Sequence, residues 1–428
     1  MSGGVPYGGD GYIEVVANSL SPDSQQWHTG TAGAVRQFMS YFESNTKNRF
    51  IEDILILPGD HVYSTDLTPI IAYHHSTGAD LTIVCRPVSG EQASRLGVVK
   101  LDLSRRIRTF LEKPRPEDLP QLAMSDDEMA PFLAPPEPEL GSAVAATGEP
   151  APGAAAAAWA AAARGLRTAR GGARVGGGAG GRVVLDTLTS TEDAELGGSA
   201  GYVGSTGIYI FKRSVLVEAL RRHVKAQDFG RQVIPEIIRE GCKVYAYRLP
   251  GYWADVGGCV ADFYAANLAL LGDSPSIDFD TPVSSPFFRY PLTIPASQMY
   301  NTRLNRALVS AGCIVRDSTI RNSVVGPRSI IGPRVTLEDC VFMGADHYEH
   351  ERPQQRPASA TYPPIGVGEG SEVRGAIVDF NCRIGKGVKL VNAEGVYESY
   401  DRAVQGLYIR DGIIVLARDA VVPDGTVL

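Results

Sequence analysis

Short apolar runs alternate with helical patterns over the first part of the chain, and the alternation returns after residue 183. The run Ile54–Leu57 is apolar at every position and is closed by Pro58-Gly59, which is typical of a strand buried on both faces. The stretches LTIVCRPV, RTFLEKP, TGIYIFK and KVYAYRL predict further strands, and SVLVEALRRH, QVIPEIIREG and ADFYAANLALL predict helices. This alternation predicts an α/β domain with a mostly parallel, Rossmann-like sheet over residues 1–120 and 183–275.

A different period governs the C-terminal part, where one aliphatic residue recurs every six positions. The three series are Leu308, Ile314, Ile320; Val325, Ile331, Leu337; and Val378, Ile384, Leu390, Val396. This period fits neither a helix nor a flat sheet. It indicates a β-helix whose triangular coil places one aliphatic side chain inward on each side. We assign residues 301–428 to this β-helix and residues 276–300 to a linker.

Residues 121–182 differ from both parts because Pro, Gly and Ala dominate, as in PPEPEL and GEPAPGAAAAAWAAAA. Few large apolar residues are available to bury, so this segment is predicted to be a disordered insert. It contains RVGGGAGGRVV, whose glycines and Arg182 imitate a phosphate-binding loop. A working loop needs a strand before it and a helix after it, and ARGLRTARGGA upstream is no strand. We therefore interpret the glycine tract as a chance feature of composition.

Composition narrows the class of function. The net charge is −7 and no basic stripe runs along a predicted helix, so nucleic acid is not an expected partner. No apolar run approaches about 18 residues, so no membrane span is expected. The six cysteines are scattered and form no CxxC pair, which argues against zinc and against a disulfide framework. The N-terminus shows neither a secretory signal nor a transit peptide.

Charged residues stand at the ends of predicted strands, where ligands bind in such sheets. Asp60, in LPGDHVY, could hold a divalent cation against phosphates, or it could cap the next helix. In FLEKPRP, Lys113 suits a phosphate and Glu112 suits hydroxyls, although a solvated charge pair is the alternative. Asp255, in GYWADVGG, could share one Mg²⁺ with Asp60. The Gly-Thr-Ala turn of WHTGTAGAVRQF opens a helix and could pack a flat base against its backbone.

Taken in order, GTAxAV, GDHxY, EKP, GIYxF, DFG and YWxDVG, followed by hexapeptide coils with MGADHYE and PIGVG, resemble one family. That family is ADP-glucose pyrophosphorylase (glucose-1-phosphate adenylyltransferase), and the resemblance covers nearly everything outside the insert. MGADHYE and EGVYESYDRAVQGLYIRDGI are closer to its plant, algal and cyanobacterial subunits. The resemblance implies a nucleotidyltransferase domain followed by a left-handed β-helix.

The resemblance also implies chemistry and site residues. Family members join ATP and glucose 1-phosphate to give ADP-glucose and pyrophosphate, for starch and glycogen synthesis, as allosteric tetramers. By position, Asp60 and Asp255 would hold Mg²⁺ and Lys113 would bind the sugar phosphate. The glucose would lie near Gly97, Glu112 and Ser205, and the adenine near Gly30, Thr31 and Ala32. Arg418 stands where plant-type subunits have a lysine that contacts a phosphorylated activator. The implied location is the plastid in an alga or plant, and the cytoplasm otherwise.

The chain departs from the family in several places. The family's GGGxGTRLxPLT loop, which cradles the triphosphate, is not found in this sequence, which begins about where the family's GDGF-EV stretch lies. Gly33 replaces the aspartate of GTADAV, and Phe380 replaces a second activator-contacting lysine. Because the loop is missing, we expect the chain as written to lack turnover.

Three functions remain open at this point. The first is a catalytic subunit, and the second is a non-catalytic regulatory subunit or an incomplete gene product of the same enzyme, which the missing loop favours. In either case we expect other ADP-glucose pyrophosphorylase subunits as partners in a homo- or heterotetramer. The third is a hexapeptide-repeat acyltransferase, which would need a catalytic histidine on the coils. The only candidates, His347 and His350, lie in an insertion-like stretch.

Overall fold

The computed structural model describes residues 30–43, 51–134, 201–272, 294–349 and 362–428, and the backbone of 5–7 and 11–13. The glycine tract 176–182, Trp27, His28 and His350 lie outside the described residues. The described part of the chain contains no helix that is long and apolar enough to cross a membrane. All six cysteines are free thiols, and Cys85, Cys313, Cys340 and Cys382 are buried.

The N-terminal domain is built from ten strands and nine helices in its described residues. The strands are β1 Val5–Tyr7, β2 Gly11–Ile13, β3 Asp53–Ile56, β4 His61–Ser64, β5 Leu81–Val88, β6 Gly97–Leu101, β7 Ile107–Glu112, β8 Tyr202–Lys212, β9 Val244–Arg248 and β10 Tyr252–Asp255. The helices are α1 Thr31–Gln37, α2 Met39–Glu43, α3 Thr68–Thr77, α4 Gly90–Ala93, α5 Leu119–Leu122, α6 Asp126–Leu133, α7 Arg213–Arg222, α8 Ile234–Arg239 and α9 Val260–Leu268. A π-helical turn, Phe229–Val233, leads into α8.

The main sheet has six strands and is organised around β8. This strand is antiparallel to β5 along one edge, and to β6 and β3 along the other. The strands β3, β5, β6 and β9 therefore run in one direction, and β7 and β8 run in the other. The α/β class predicted from the sequence is confirmed. However, most hydrogen-bonded pairs in this sheet are antiparallel, because β8 separates strands that would otherwise be parallel neighbours.

Apolar side chains from the helices pack against the sheet to form the main core. α7 contributes Leu216 and Leu220, α8 contributes Ile237, and the sheet contributes Phe211 and Val203, all nearly inaccessible to solvent. The helix predicted for SVLVEALRRH is thus confirmed as α7, and its apolar residues form the buried face.

The predicted insert begins too early at residue 121, because the structure places residues 121–134 in the folded domain. α6 starts with a capping box in which the Ser125 hydroxyl accepts from the Glu128 backbone N–H and the Glu128 carboxylate accepts from Ser125. Its Met129 and Phe132 join the main core, as does Met124. The Pro, Gly and Ala bias of the segment 121–182 as a whole conceals this short amphipathic helix, which itself contains one proline, Pro131. The remainder of the predicted insert lies outside the described residues.

A small ribbon beside the main sheet joins β4 and β10 in an antiparallel pair. Its register places Asp255 opposite His61 and Trp253 opposite Tyr63. Two segments almost two hundred residues apart in sequence are thereby held side by side, which decides the geometry of the candidate site.

The C-terminal domain is a parallel β-helix whose strands stack coil upon coil. Its strands are β11 Gln298–Tyr300, β12 Arg303–Val309, β13 Ile314–Arg316, β14 Thr319–Val325, β15 Ile330–Ile331, β16 Thr336–Phe342, β17 Gly366–Val367, β18 Glu372–Val378, β19 Arg383–Ile384, β20 Lys389–Leu390, β21 Leu407–Arg410, β22 Ile413–Leu416 and β23 Val421–Val422. They form sheets in the orders β11-β13-β15-β17-β19-β23 and β12-β14-β16-β18-β22-β21. β11 already pairs with β13, so the last residues of the predicted linker belong to the β-helix.

The six-residue period correctly predicts the buried row of this domain. Val325, Ile331 and Leu337 are each at most 1% exposed, and Leu337 stacks on Val373 of a later coil. The period does not hold at the two ends of the domain: Leu308 on the first coil is 36% exposed, and Val396 lies in the loop between β20 and β21.

Helix α9 packs on the outer surface of the β-helix. Tyr264 forms an apolar cluster with Val341, Ile377 and Ile413, and its hydroxyl donates to the Asp339 carbonyl oxygen. The helix begins five residues after Asp255, so the candidate site is joined to this interface by a short segment of chain.

Candidate active site

The first group of polar side chains lies at the end of the β4–β10 ribbon. Asp60 follows the Pro58-Gly59 turn after β3, and its side chain is 64% exposed. Asp255 ends β10, where its Oδ1 accepts from the Gly257 N–H at 2.9 Å. His61 Nε2 lies 3.7 Å from Asp60 Oδ1 and 3.8 Å from Asp255 Oδ1. The two aspartates predicted to cooperate are therefore brought together, and a histidine is placed between them.

The orientation of His61 is set by its surroundings. Its Nδ1 lies 3.0 Å from the Thr206 carbonyl oxygen, which can only accept a hydrogen bond, so Nδ1 carries a hydrogen. The ring packs edge-on against Trp253, with 5.0 Å between centroids, and the side chain is only 12% exposed. Nε2 is consequently the ring nitrogen that faces the two carboxylates.

Backbone contacts hold Asp60 close to the segment that follows Asp255. The Val256 N–H donates to the Asp60 carbonyl oxygen at 3.1 Å. A Cβ atom on Gly257 would lie only 2.5 Å from Asp60 Oδ2, so a side chain at this position would displace the carboxylate. Glycine in YWADVGG is thus required by this close approach.

The second group surrounds Glu112, the last residue of β7. Its register partner is Gly97 on β6, and a Cβ atom on Gly97 would lie 2.7 Å from Glu112 Oε2. A Cβ on Gly230 would also collide with this carboxylate. Burial raises the pKa of Glu112, and the neighbouring charge of Asp228 raises it further, while Lys113 and Arg231 act in the opposite direction. Glu112 is therefore a half-buried acid in a space kept open by two glycines.

Lys113 stands next to Glu112 in an unusual backbone conformation. Its φ is +49°, its N–H donates to the Leu96 carbonyl oxygen at 2.9 Å, and its side chain is exposed. A positive φ is uncommon for a non-glycine residue, and here it turns the chain directly after β7. The backbone at Lys113 therefore leaves the direction of β7, the strand that ends at Glu112.

The Gly-Thr-Ala turn docks on the segment before the π-helical turn. The Ala32 N–H donates to the Gln227 carbonyl oxygen at 2.9 Å, and the Thr31 hydroxyl lies 3.4 Å from Asp228 Oδ2. Because Asp228 also acts on Glu112, residues 30–32 and Glu112 share this acidic neighbour.

Strand β8 contacts both groups. Ser205 is 5% exposed, and its hydroxyl accepts from the Gly207 N–H at 3.2 Å. The next residue, Thr206, supplies the carbonyl oxygen that orients His61. Farther along the strand, burial raises the pKa of Tyr209, and the charge of Glu112 raises it further. Residues of one strand, Thr206 and Tyr209, therefore contact the Asp60–His61–Asp255 cluster and the Glu112 group respectively.

Arg418 lies in the β-helix domain, where it forms an ion pair with Asp346. Its guanidinium also lies over the Phe380 ring, 5.6 Å from the centroid. Asp346 and Asn381 exchange two hydrogen bonds at 2.9 Å. Arg418 is thus held in place in this structure, and an anion binding there would compete with Asp346.

Several polar residues of these groups were not predicted from the sequence. His61 stands inside the GDH motif, but its role depends on the β4–β10 register. Asp228 appears only as part of DFG, and its contact with residue 31 joins segments far apart in the chain. The buried Asp262 forms an ion pair with Arg95, which raises the pKa of the arginine, and neither residue belongs to a motif.

Comparison with protein families defines the class of this protein. A nucleotidyl transferase family model matches residues 11–162 and 177–272, which is more than half of the chain, so the chain belongs to the nucleotidyl transferase family. The GLGC left-handed parallel β-helix domain matches residues 292–427. The nucleotidyl transferase domain and left-handed β-helix expected from the resemblance are thereby confirmed. The family match passes over residues 163–176 only, a shorter interruption than the predicted insert.

Proposed function

We propose that this chain is a glucose-1-phosphate adenylyltransferase (ADP-glucose pyrophosphorylase), which forms ADP-glucose and pyrophosphate from ATP and glucose 1-phosphate. The observation that supports this most strongly is the presence of two chemically different groups that both contact residues of β8. One is the Asp60–His61–Asp255 cluster, suited to a cation on phosphates, and the other is the Glu112–Lys113 group, suited to a sugar phosphate. The GLGC-type β-helix favours ADP-glucose synthesis over other nucleotidyl transfers.

On the sugar side, each residue has a role that its environment favours. Glu112 would accept hydrogen bonds from glucose hydroxyls in the space beside Gly97. Lys113, exposed and turned away by its positive φ, would bind the phosphate as a compact charge. Ser205 would contribute to the same side of the pocket. These contacts would orient the phosphate oxygen for in-line attack on the α-phosphorus of ATP, and such positioning supplies much of the catalysis in this chemistry.

On the nucleotide side, Asp60 and Asp255 would hold Mg²⁺. The cluster fits such an ion because its candidate ligand atoms lie within 4.8 Å of one another and two of the three are carboxylate oxygens. A bound Mg²⁺ would neutralise charge developing on the phosphates. Gly30, Thr31 and Ala32 would face the adenine, with the turn fixed by its hydrogen bonds to residue 227.

The same proposal extends to assembly and regulation. We propose that the chain assembles into a homo- or heterotetramer with other ADP-glucose pyrophosphorylase subunits, for starch or glycogen synthesis. Arg418 would take part in binding a phosphorylated activator by exchanging Asp346 for the activator's phosphate. In an alga or plant the assembly would act in the plastid, and otherwise in the cytoplasm.

Binding of glucose 1-phosphate and ADP-glucose, measured by calorimetry on the full chain, tests the sugar side without requiring turnover. Losing one charge-assisted contact costs about 1.5–3 kcal/mol, so Lys113→Ala should weaken glucose 1-phosphate binding by roughly 10- to 100-fold. The control is Arg115→Ala, which removes another exposed cation two residues away. Equal losses in both variants would contradict the role of Lys113.

A further inference from the structure

The Asp60–His61–Asp255 cluster has a feature that two aspartates alone do not explain. His61 Nε2 faces both carboxylates, yet at 3.7 and 3.8 Å it is beyond normal hydrogen-bonding distance from either. The three candidate ligand atoms nevertheless lie within 4.8 Å of one another. This spacing leaves room for one ion between the three atoms, since ligands about 2.1 Å from a metal are commonly about 3–4 Å apart.

The ring is also prepared to act as a ligand. A histidine that binds a metal usually donates its other ring N–H to a carbonyl or carboxylate, which fixes the tautomer. His61 does this through Nδ1 and the Thr206 carbonyl oxygen. In the neutral ring the lone pair is then on Nε2, which points toward Asp60 and Asp255. Packing against Trp253 keeps the ring in that orientation.

We propose that His61 Nε2 is a third protein ligand of the cation held by Asp60 and Asp255, and that it shifts the preference of the site from Mg²⁺ toward Mn²⁺ and Co²⁺. The preference follows from ligand type, because Mg²⁺ favours oxygen ligands and imidazole nitrogen suits later divalent metals. This inference rests on the cation site proposed above and specifies which ions that site selects.

The direct test is electron paramagnetic resonance of Mn²⁺ bound to the full chain, with manganese chloride as the only added ligand. In protein made with ¹⁵N-histidine, the hyperfine coupling should change from that of ¹⁴N to that of ¹⁵N. His223→Gln is the control, because His223 also faces a carboxylate, that of Glu240, at 3.2 Å. The coupling should persist in His223→Gln and disappear in His61→Asn.

Two substitutions at His61 separate ligation from support of the fold. His61→Asn places an amide nitrogen near the position of Nδ1, so it can still donate to the Thr206 carbonyl but offers no ligand at Nε2. His61→Gln places an amide group near the position of Nε2 and can offer an oxygen ligand. We expect His61→Asn to weaken Mn²⁺ binding by at least about 10-fold. We expect His61→Gln to lower the ratio of Mn²⁺ to Mg²⁺ affinity.

The outcomes distinguish this inference from the proposed function. Absence of histidine coupling in the wild-type protein, or an unchanged ratio of Mn²⁺ to Mg²⁺ affinity in both His61 variants, would overturn the inference. Neither result would affect the assignment of the sugar-phosphate side, which is measured by glucose 1-phosphate binding. Conversely, histidine coupling in a protein that binds no glucose 1-phosphate would support the ligand and contradict the function.

Discussion

The Glu112 carboxylate occupies the space next to Gly97 that a Cβ atom would fill. That Cβ would lie 2.7 Å from Glu112 Oε2 and 2.5 Å from Phe110 Cζ, so neither neighbour could remain where it is. Gly97→Ala should therefore displace Glu112 and cost about 1–3 kcal/mol of stability. Binding of glucose 1-phosphate should fall, while cation binding at Asp60 should be retained.

Gly90→Ala is the matched control for this substitution, since its Cβ would make only an ordinary contact of 3.6 Å with Tyr202. Calorimetric titration of the sugar phosphate and urea denaturation measure the two effects. If the folded Gly97→Ala protein bound the sugar phosphate as well as the wild type does, Glu112 would not be part of the proposed pocket.

The raised pKa of Glu112 predicts a pH dependence of stability. Burial and the charge of Asp228 disfavour the ionised form in the folded protein, so the folded state binds the proton more tightly than the unfolded state. This contribution to stability is fully present below the ordinary value of 4.5 and is lost as the pH rises through the raised value. The free energy of unfolding of the wild type, relative to Glu112→Gln, should fall across that window. If the free energies of unfolding of the wild type and of Glu112→Gln changed in parallel with pH, the pKa of Glu112 would not be raised in the folded protein.

The position of α6 in the core predicts a large effect of a single truncation. Phe132 is 1% exposed, and truncating a buried phenylalanine costs about 3–5 kcal/mol, so Phe132→Ala should strongly lower the urea midpoint. The adjacent Leu133 is 40% exposed, and Leu133→Ala should cost far less. Small and similar losses of stability in both variants would indicate that residues 126–133 belong to the predicted insert and not to the core.

The ion pair between Arg418 and Asp346 predicts an effect on regulation. In the chain joined to a family-type GGGxGTRLxPLT segment, Arg418→Gln should raise the concentration of phosphorylated activator needed for half-maximal stimulation by roughly 10-fold or more, because a charge-assisted contact is lost. Asp346→Asn should lower that concentration, since it removes the competing carboxylate. Arg334→Gln is the control, because Arg334 pairs with Glu369 elsewhere on the β-helix. Equal sensitivity of all variants would contradict the role of Arg418.

The sequence was most informative where a period determines the structure. The six-residue spacing of Val325, Ile331 and Leu337 identified the coils because every coil repeats the same inward contact. Helix α6 was missed because composition does not reveal a short apolar face interrupted by Pro131. The directions of the strands could not be predicted either. The apolar pattern of β8 is that of any buried strand and does not show that it is antiparallel to its neighbours.

In the candidate site, too, local sequence patterns identified some residues and missed others. Asp60 was found because it follows a recognisable strand, and Asp255 was found because it lies between aromatic residues and a glycine turn; the β4–β10 ribbon brings the two together. His61 was missed because its role depends on the Thr206 carbonyl and on a register between strands remote in sequence. Such pairings arise from tertiary structure, and no local pattern of residues encodes them.

The most direct measurement of the central claim is formation of ADP-glucose from ATP and glucose 1-phosphate by the chain joined to a family-type GGGxGTRLxPLT segment. We predict ADP-glucose formation in the presence of Mg²⁺. We also predict a loss of at least about 100-fold in Asp60→Asn, as expected when a major source of transition-state stabilisation is removed. Failure to form ADP-glucose, or activity indifferent to Asp60→Asn, would contradict the account.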